Sequence, residues 1–300
     1  MQTFKSGFVS IIGRTNVGKS TLLNSLAKEK IAIMTRKPQT TRTAIKAIVN
    51  RGSSQIIFID TPGIHKPKTK LNEILLETAF GSITDVDVVV FLIEATSLEI
   101  GKGDTYILEK IREAKKKTIL VINKIDLIRK DSLLKLIKEY KKEYEFSAIV
   151  PISATKTEGI EDLLLEIESL LPEGPAYYDK EEYTDQTLKQ IVEETIREKS
   201  LKLLDEEIPH GIYVEVEKLK TRKTKLNEKI FDIDATIYCN KNSHKGIIIG
   251  KGGNMLKNIG QYARQDIEKM LGEKVNLKIW VKVRENWQDD DLIIKRFKNF

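Results

Sequence analysis

The feature that most constrains this chain is the stretch GRTNVGKST at residues 13–21, which fits the pattern G-x-x-x-x-G-K-[ST]. An apolar run at residues 8–12 precedes it and predicts a buried strand, and a helical pattern follows at residues 19–28. The glycine-rich stretch therefore falls at a strand-to-helix turn, the setting that a phosphate-binding loop requires. A single match of this kind also occurs in ordinary glycine-rich turns, so its meaning depends on the rest of the chain.

The predicted loop offers the groups that bind a polyphosphate. Gly13 and Gly18 let the backbone approach an anion, and the N–H groups at the start of the helix point toward it. Lys19 adds a positive charge, and the hydroxyl of Ser20 is a candidate ligand for Mg²⁺. The predicted nucleotide-binding residues of this loop are Gly13, Arg14, Thr15, Asn16, Val17, Gly18, Lys19, Ser20 and Thr21.

A second motif, DTPG at residues 60–63, follows a strand predicted at residues 55–59. Asp60 then emerges at the carboxyl edge of a sheet, where open α/β folds bind ligands, and we expect it to lie beside Mg²⁺. No side chain shields the N–H of Gly63, which is placed to detect a γ-phosphate. The predicted nucleotide-binding residues of this segment are Asp60, Thr61, Pro62, Gly63 and Ile64.

Residues 34–43, MTRKPQTTRT, lie between these motifs and lack apolar periodicity. We interpret them as an effector loop in which Thr41, in preference to Thr40, binds Mg²⁺ in the triphosphate state; an ordinary polar loop is the alternative. The predicted metal ligands are Ser20, Thr41 and Asp60, and the predicted catalytic set is Lys19, Thr41, Asp60 and Gly63.

A third motif, NKID at residues 123–126, again follows a predicted strand. The carboxylate of Asp126 can accept hydrogen bonds from the ring N–H and the exocyclic amine of guanine, whereas adenine would leave it unpaired. Asn123 is expected to tie neighbouring loops together, and the stem of Lys124 is expected to lie along the purine.

The stretch PISAT at residues 151–155 adds a weaker signal. Ser153 lies beside Ala154, whose backbone N–H could donate to the guanine carbonyl oxygen. The three ordered motifs predict a protein that binds GTP or GDP together with Mg²⁺. An ATPase would require that Asp126 have no part in base choice.

Short β-rich runs alternate with helical patterns along the first 170 residues. We predict strands near 8–12, 44–50, 55–59, 86–93, 118–122 and 148–151, and helices near 19–28, 70–83, 103–116, 131–145 and 159–170. This alternation predicts an α/β fold, a wound sheet with helices on both faces. We place this domain at residues 1–172, a Pro- and Gly-containing connector at 173–186, and a second domain at 187–300.

Length and composition fit two soluble domains, because the chain has 300 residues of which 40% are hydrophobic. The longest apolar run, at residues 88–93, is far shorter than the roughly 18–20 residues that span a bilayer, and residues 1–7 do not resemble a signal peptide. The single cysteine, Cys239, excludes an internal disulfide and suits a reducing cytosol. The three histidines are too scattered to predict a zinc site or a catalytic triad.

The second domain contains a glycine-rich turn, GIIIGKGG, at residues 246–253. Its GKGG has the G-x-x-G form of loops that clamp the backbone of single-stranded nucleic acid, although a plain helix–helix turn can share that form. Residues 240–284 contain 10 Lys or Arg against 3 Asp or Glu, so basic charge is concentrated around the turn. The predicted nucleic-acid-binding residues are Lys245, Gly250, Lys251, Gly252, Gly253, Lys257 and Arg264.

Apolar residues near this turn are predicted to divide between core and ligand. We expect Ile248 and Ile259 to belong to the core. At least one of Ile247, Ile249 and Leu256 is expected to face the ligand and support unstacked bases.

The rest of this domain is predicted to contain helices at 187–205 and 254–271 and strands at 211–220, 230–239 and 275–284. Trp280 alternates with apolar residues in the last strand, so we expect it to pack rather than to stack on bases. The order of elements indicates a small α+β domain.

These features resemble, over essentially the whole chain, the Era family of bacterial ribosome-assembly GTPases. That family is recognised by a phosphate loop followed by a Q-T-T-R segment, here at 39–42, and by DTPGIH at 60–65. NKID at 123–126, SA at 153–154 and a C-terminal KH domain of the second topological type complete the resemblance.

The resemblance implies hydrolysis of GTP to GDP and phosphate. It also implies that the KH domain binds the 3′ end of 16S ribosomal RNA and that the protein acts in maturation of the small (30S) ribosomal subunit. A cytoplasmic protein that associates peripherally with the inner face of the cell membrane is expected. Two features depart from the family, Glu94 where many relatives have Asp and the individual segment 218–230, and we expect neither to touch the predicted sites.

Ile64 follows DTPG at the place where Ras-like enzymes have a glutamine that orients water. Because isoleucine cannot hydrogen-bond water, we expect the backbone or a switch-loop group to position it, with slow intrinsic turnover. Two other classes remain open: an RNA chaperone or scaffold with incidental hydrolysis, and a membrane-associated signalling GTPase. DNA is not an expected partner, and the lack of heptads or a large apolar patch favours a monomer.

Overall fold

The computed structural model describes residues 3–29, 31–34, 45–61, 63, 69–97, 99–205 and 208–298. The chain divides into two compact units, Met1–Asp185 with Arg296–Phe300, and Gln186–Lys295. Every helix within the described ranges is too short or too polar to span a bilayer.

The first unit contains the predicted alternation of strands and helices. Its strands are β1 (Lys5–Ile12), β2 (Ile45–Arg51), β3 (Ser54–Asp60), β4 (Val88–Glu94), β5 (Lys117–Asn123) and β6 (Ala148–Pro151). Its helices are α1 (Lys19–Ala27), α2 (Lys70–Thr84), α3 (Lys102–Ala114), α4 (Lys130–Glu143) and α5 (Ile160–Leu170). The predicted elements of this domain are all present, with ends that differ by a few residues.

The strands form one sheet in the order β2-β3-β1-β4-β5-β6. Strand β2 runs antiparallel to β3, and the other neighbouring pairs are parallel. The carboxyl ends of β1, β3 and β5 therefore lie along the same edge of the sheet. The three sequence motifs follow these strands, so the topology brings them together.

Strand β4 shows why the sheet is covered by helices on both faces. Val90 and Leu92 pack in one core cluster, whereas Phe91 and Ile93 pack in the other. Successive side chains of a strand point to opposite faces, so a continuous apolar run is expected where both faces are buried. The wound α/β fold predicted from the sequence is confirmed.

The segment at 173–185, predicted as part of a connector, lies along the first unit. The buried Gln55 side chain accepts hydrogen bonds from the backbone N–H groups of Tyr177 and Tyr178 at 2.7 and 3.0 Å. On the edge strand β2, the N–H of Ile48 donates to the carbonyl of Tyr183 at 3.0 Å. The first unit therefore extends to Asp185, and the predicted boundary at residue 172 is too early.

The remaining elements are α6 (Leu188–Leu203), β7 (Ile212–Lys223), β8 (Lys229–Cys239), α7 (Asn242–Ile249), α8 (Asn254–Leu271), β9 (Lys274–Val283) and α9 (Asp291–Lys298). Helix α6 begins with a reciprocal cap in which the Thr187 hydroxyl accepts from the N–H of Gln190 and the Gln190 side chain accepts from the N–H of Thr187. Helix α9 was not predicted.

Strands β7, β8 and β9 form a second sheet in that order, with β7 antiparallel and β9 parallel to β8. One face of α8 buries Ile259, Ala263 and Ile267, spaced four residues apart. They pack in one core cluster with alternate residues of β8, among them Ile233 and Ile237. The parallel β8–β9 pair is joined by α7 and α8, as a crossover connection requires.

Two tryptophans in this part of the chain provide a matched test of its core. Trp287 is fully buried and its Nε1 donates to the carbonyl of Gly211 at 2.9 Å, whereas Trp280 is 44% exposed. We expect Trp287→Ala to lower the free energy of unfolding by about 3–5 kcal/mol, because it leaves a large cavity and an unpaired carbonyl.

Trp280→Ala should change that free energy by less than about 1 kcal/mol. Urea denaturation of the full-length variants, followed by circular dichroism, measures both effects. Equal losses for the two variants would contradict the assignment of Trp287 as the core tryptophan.

Candidate functional site

The loop between β1 and α1 has the backbone form that a phosphate loop needs. Asn16 and Gly18 have positive φ angles of 65° and 104°. A Cβ at Gly18 would lie 2.3 Å from Asn123 Nδ2, and a Cβ at Gly13 would lie 2.3 Å from the carbonyl oxygen of Leu92. Glycine is therefore required at both positions for the loop to pack this tightly.

Lys19, the first residue of α1, lies inside this loop. Its Nζ donates to the carbonyl oxygens of Gly13 at 2.9 Å and Arg14 at 2.8 Å. Burial lowers the pKa of the Lys19 ammonium to about 8, against an opposing effect of Asp60. Bound phosphate would supply the negative charge that this buried cation lacks in the loop.

Two predicted metal ligands meet across the sheet edge. Ser20 Oγ lies 3.4 Å from Asp60 Oδ2, and Asp60 is fully buried at the end of β3. A hydroxyl and a carboxylate are oxygen donors of the type that Mg²⁺ prefers, so these residues fit the ion. The third predicted ligand, Thr41, lies outside the described residues.

Gly63 is held directly against the phosphate loop. A Cβ at this position would lie 2.8 Å from Thr15 Cγ2 and 3.3 Å from Lys19 Nζ. The backbone of residue 63 therefore stands where a γ-phosphate beside Lys19 would meet it. Pro62 and Ile64 lie outside the described residues.

Three further predicted nucleotide-binding residues, Thr61, Val17 and Thr21, have buried or half-buried side chains. Thr61 is fully buried and its hydroxyl donates to the carbonyl of Ile11 at 2.9 Å, so this side chain joins β3 to β1. The Val17 side chain is buried in the core, while Thr21 is half-buried on α1.

Asn123 ties three loops together, in agreement with the role predicted for it. Its Nδ2 donates to the carbonyl of Val17 at 2.9 Å. Its Oδ1 accepts from the N–H groups of Lys124 and Ala154 at 2.8 and 3.0 Å. The Ala154 N–H, predicted to meet the guanine carbonyl, is therefore engaged by Asn123 in this structure.

Asp126 is oriented by Ser153, whose Oγ donates to Asp126 Oδ1 at 2.7 Å. The second carboxylate oxygen lies 3.9 Å from the ammonium of the exposed Lys156. The Asp126 side chain keeps 13% of its surface exposed. A guanine that covered it would complete its hydrogen bonds with two N–H donors.

Lys124 also forms contacts that sequence analysis did not foresee. Its Nζ donates to the carbonyl of Asn16 at 2.8 Å and to Glu94 Oε2 at 2.5 Å. The expectation that Glu94 touches none of the predicted sites is wrong. Its position at the end of β4, on the same edge as the motifs, was the signal that could have revealed this contact.

The Arg14 side chain likewise forms contacts that sequence analysis did not foresee. Its side chain lies against the start of α3, with Nε 3.3 Å from Asp104 Oδ1 and Nη2 3.8 Å from Glu94 Oε1. The sequence placed Arg14 among the nucleotide ligands because it belongs to the loop. In the structure its guanidinium pairs with carboxylates of the protein.

The second candidate site surrounds the GKGG turn between α7 and α8. Gly250, Gly252 and Gly253 have φ angles of 73°, 62° and 78°, which other residues rarely adopt. Lys251 is exposed at the tip of the turn. A backbone without side chains beside an exposed lysine suits the approach of a sugar-phosphate chain.

A cavity of about 460 Å³ begins at this turn and runs between α8 and β9. Leu256, Leu277 and Ile279 supply apolar lining, and Lys257 and Arg264 add positive charge. Gly260 lies opposite Ile279, with which a Cβ would be in ordinary contact at 3.6 Å. This combination of apolar surface and basic side chains suits a base and its phosphate.

Of the residues predicted for this site, Gly253, Lys257 and Arg264 line the cavity, whereas Lys245 lies on α7 and does not. Ile248 and Ile259 are fully buried, as predicted. Sequence analysis missed the lining residues Gly260, Gln261, Leu277 and Ile279. A glycine inside a helical pattern and the alternation of the last strand were the available signals.

Trp280, expected to pack, lies on the opposite face of β9 from its buried neighbour Val281 and is 44% exposed. That expectation is wrong for Trp280. The cause is the alternation itself, which buries Val281 and turns its neighbour outward.

Comparison with known proteins connects both sites to one family. A family model described as a 50S ribosome-binding GTPase matches residues 8–124, and a KH-domain model matches residues 207–288. GTPase Era of Caldanaerobacter subterraneus subsp. tengcongensis is 53% identical over 98% of this chain and 97% of the relative. The chain belongs to the Era family of GTPases. GTPase Era of Clostridioides difficile is 51% identical over 98% of each chain.

Solved structures of Era proteins agree with this chain over both units. An Era structure in complex with MgGDPNP and nucleotides 1506–1542 of 16S ribosomal RNA matches with a TM-score of 0.94, at 39% identity over 98% of each chain. A point variant of Aquifex aeolicus Era bound to GDP and aluminium fluoride matches with a TM-score of 0.93, at 38% identity over 98% of this chain and 99% of that one. The Era architecture, a P-loop GTPase domain followed by a KH domain, is thus the architecture of this protein.

Proposed function

We propose that this protein hydrolyses GTP, binds the 3′ end of 16S ribosomal RNA through its KH domain, and acts in maturation of the small ribosomal subunit. The observation that carries the proposal is the match over 98% of the chain to an Era structure that holds MgGDPNP and a 16S ribosomal RNA segment together. The geometry of the two candidate sites supports the same pair of ligands.

The phosphate loop provides charge where the transferred phosphoryl group would lie. When GTP binds, Lys19 exchanges the carbonyls of Gly13 and Arg14 for oxygens of the β- and γ-phosphates. The N–H of Gly63 donates to the γ-phosphate and so distinguishes GTP from GDP.

Ser20 and Asp60 would hold Mg²⁺, together with Thr41, which the sequence predicts as a ligand. The ion, when bound, neutralises charge on the β- and γ-phosphates. Because the Ile64 side chain cannot form hydrogen bonds, the attacking water must be positioned by backbone groups or by a switch-loop residue. Intrinsic GTP turnover is therefore slow.

The cavity beside the GKGG turn is where unpaired bases of the RNA bind. The positive φ angles of Gly250, Gly252 and Gly253 let the phosphate backbone cross the turn. Lys257 and Arg264 neutralise phosphates, so binding depends on salt.

We also propose a monomeric, cytoplasmic protein that associates peripherally with the inner face of the cell membrane. The excess of basic over acidic side chains in residues 240–284 supports attraction to anionic surfaces. Flotation with liposomes that contain anionic lipid tests this location independently of RNA.

Titration of labelled RNA that carries the 3′ end of 16S ribosomal RNA tests the proposed function. With a non-hydrolysable GTP analogue we expect binding about tenfold tighter than with GDP, and weaker binding at higher salt in both states. Equal affinity in the two states would remove the coupling between sites. Absence of binding in both would overturn the RNA function and leave the membrane or scaffold alternatives.

Paired variants assign the RNA to the GKGG turn. Lys251→Ala combined with Gly252→Asp should weaken RNA binding by about 30-fold or more, because it removes one phosphate contact and adds a repelling charge, while leaving the rate of GTP hydrolysis without RNA unchanged. Lys269→Ala, an exposed lysine of α8 that does not line the cavity, is the matched control. RNA binding equally weakened by the control would contradict this assignment.

A further inference from the structure

Arg14 is a residue of the phosphate loop whose side chain leaves the phosphate site and crosses the start of α3. A Cβ at Gly101 would lie 3.1 Å from Arg14 Nη1, and a Cβ at Gly103 would lie 2.9 Å from Arg14 Cδ. Glycine at positions 101 and 103 therefore leaves room for the Arg14 side chain at the start of α3. An arginine that only extended into solvent would need no such groove.

The side chain ends at Asp104, which is buried with 1% of its surface exposed. Arg14 Nε and Asp104 Oδ1 form an ion pair at 3.3 Å. Both atoms are buried, and among the described residues neither has a hydrogen-bond partner of good geometry. Burial raises the pKa of the Asp104 carboxyl, while Arg14, a backbone hydrogen bond from Gly101 and a hydrogen bond from the buried Tyr140 oppose that shift. A buried carboxylate is destabilising unless a cation faces it, and Arg14 is the cation that faces this one.

The Arg14 guanidinium also faces Glu94, which is paired with Lys124 of the NKID loop. Arg14 Nη2 lies 3.8 Å from Glu94 Oε1, and Glu94 Oε2 lies 2.5 Å from Lys124 Nζ. Lys124 in turn donates to the carbonyl of Asn16 at 2.8 Å. A continuous series of charged contacts thus joins α3, the phosphate loop and the NKID loop.

We propose that Arg14 is a positioning residue for nucleotide binding, which holds the phosphate loop in its receptive shape through Asp104 and holds Lys124 beside the base through Glu94. The main chain supports this role, because the carbonyl of Arg14 is one of the two groups that accept from Lys19. The inference rests on the proposed function in that guanine nucleotide is the ligand. Arg14 thus acts on the shape of the loop and not through contact of its guanidinium with phosphate.

A positioning role has a specific kinetic signature. A loop that is not held in shape must be ordered when nucleotide arrives, so affinity falls for GDP and GTP alike. Once the nucleotide is bound, the loop is ordered in both proteins and the chemical step is unchanged. The Kd for GDP and the KM for GTP should rise together, while kcat at saturating GTP is preserved.

The experiment compares Arg14→Ala, Asp104→Asn and the double variant with the full-length wild-type protein. Fluorescent GDP gives Kd, GTP turnover gives kcat and KM, and thermal unfolding reports stability. We expect each single variant to raise Kd and KM by about tenfold with kcat within about twofold of wild type. The double variant should raise Kd about as much as Arg14→Ala alone and not about 100-fold, because Arg14→Ala already removes the contact that Asp104→Asn breaks.

Two further variants separate positioning from general stability. Arg14→Lys keeps a cation that can face Asp104 and should restore Kd to within about threefold of wild type. Lys110→Ala removes an exposed ion pair with Glu113 on the same helix and should leave Kd and KM unchanged.

Several results would overturn the inference. They are a wild-type Kd in Arg14→Ala, a double variant whose effects multiply, a loss confined to kcat, and a lower unfolding temperature without any change in Kd. If the wild-type protein itself failed to bind GDP, the proposed function would fail and the inference with it, whereas failure in the variants alone leaves the proposed function intact.

Discussion

Replacing Lys19 by methionine is expected to weaken GDP binding by at least about 100-fold and to remove measurable GTP hydrolysis. The ammonium is buried inside the phosphate loop, where it would form charge-assisted hydrogen bonds to phosphate oxygens, each of which contributes roughly 1.5–3 kcal/mol. Methionine retains a long apolar stem, so the variant removes the charge with little change in packing. Fluorescent GDP titration and phosphate release measure the two losses.

Although Lys19→Met should weaken nucleotide binding, it should not lower the folding stability of the nucleotide-free protein. Because burial lowers the pKa of Lys19 to about 8, the folded state binds its proton less tightly than the unfolded state does. At pH 7 that proton is retained in both states, and the charged lysine disfavours folding. Lys19→Met should therefore unfold at the same or a higher temperature than wild type. A lower unfolding temperature together with lost binding would point to a damaged fold.

Lys141→Ala provides the comparison for these measurements. Lys141 is exposed in the last turn of α4, on the same unit as the phosphate loop. Its loss should change neither GDP affinity nor hydrolysis. GDP affinity equally reduced in the two variants would show that net charge, and not the buried ammonium, determines binding.

Asp126→Asn is expected to lower kcat/KM for GTP by about 1000-fold and to raise that for xanthosine triphosphate above it. The carboxylate accepts from two guanine N–H groups, and an amide that replaces it turns a donor toward one of them. Xanthine carries a carbonyl where guanine carries its exocyclic amine, so it can accept from the new amide. A preference built on buried hydrogen bonds reaches this size because the wrong base leaves polar groups unpaired.

The Asp126→Asn experiment measures kcat/KM for GTP, ATP and xanthosine triphosphate with each protein. Ser153 remains able to donate to the asparagine carbonyl, so the side chain keeps its orientation. Asp131→Asn, at an exposed position in the first turn of α4, is the matched control. An unchanged preference for guanine in Asp126→Asn would mean that other groups select the base.

The nucleotide site was predictable because its motifs are local. Each consists of adjacent residues that follow an apolar strand, and parallel strands deliver their carboxyl ends to one edge. The pairing of Ser20 with Asp60 and the multiple hydrogen bonds of Asn123 follow from this arrangement. The GKGG turn was predictable for a similar reason, since three positive φ angles within one short turn strongly favour glycine.

Other contacts depend on side chains that are distant in sequence, and the signs of them in the sequence are weaker than the motifs. Arg14 and Asp104 meet only because α3 begins beside the phosphate loop, and Glu94 reaches Lys124 across neighbouring strands. The face that Trp280 presents is determined by the register of β9 on β8. The alternation of Leu277, Ile279 and Val281 with Lys278, Trp280 and Lys282 was the local sign that Trp280 lies on the uncovered face.

The segment at 173–185 has a practical consequence for anyone who prepares the GTPase unit alone. A fragment cut at residue 172 would lose the backbone N–H groups of Tyr177 and Tyr178, and the buried amide of Gln55 would remain without them. It would also uncover the edge of β2, where Ile48 now donates to Tyr183, and an open edge invites self-association. A fragment that ends at Asp185 is therefore expected to be soluble and free of this self-association.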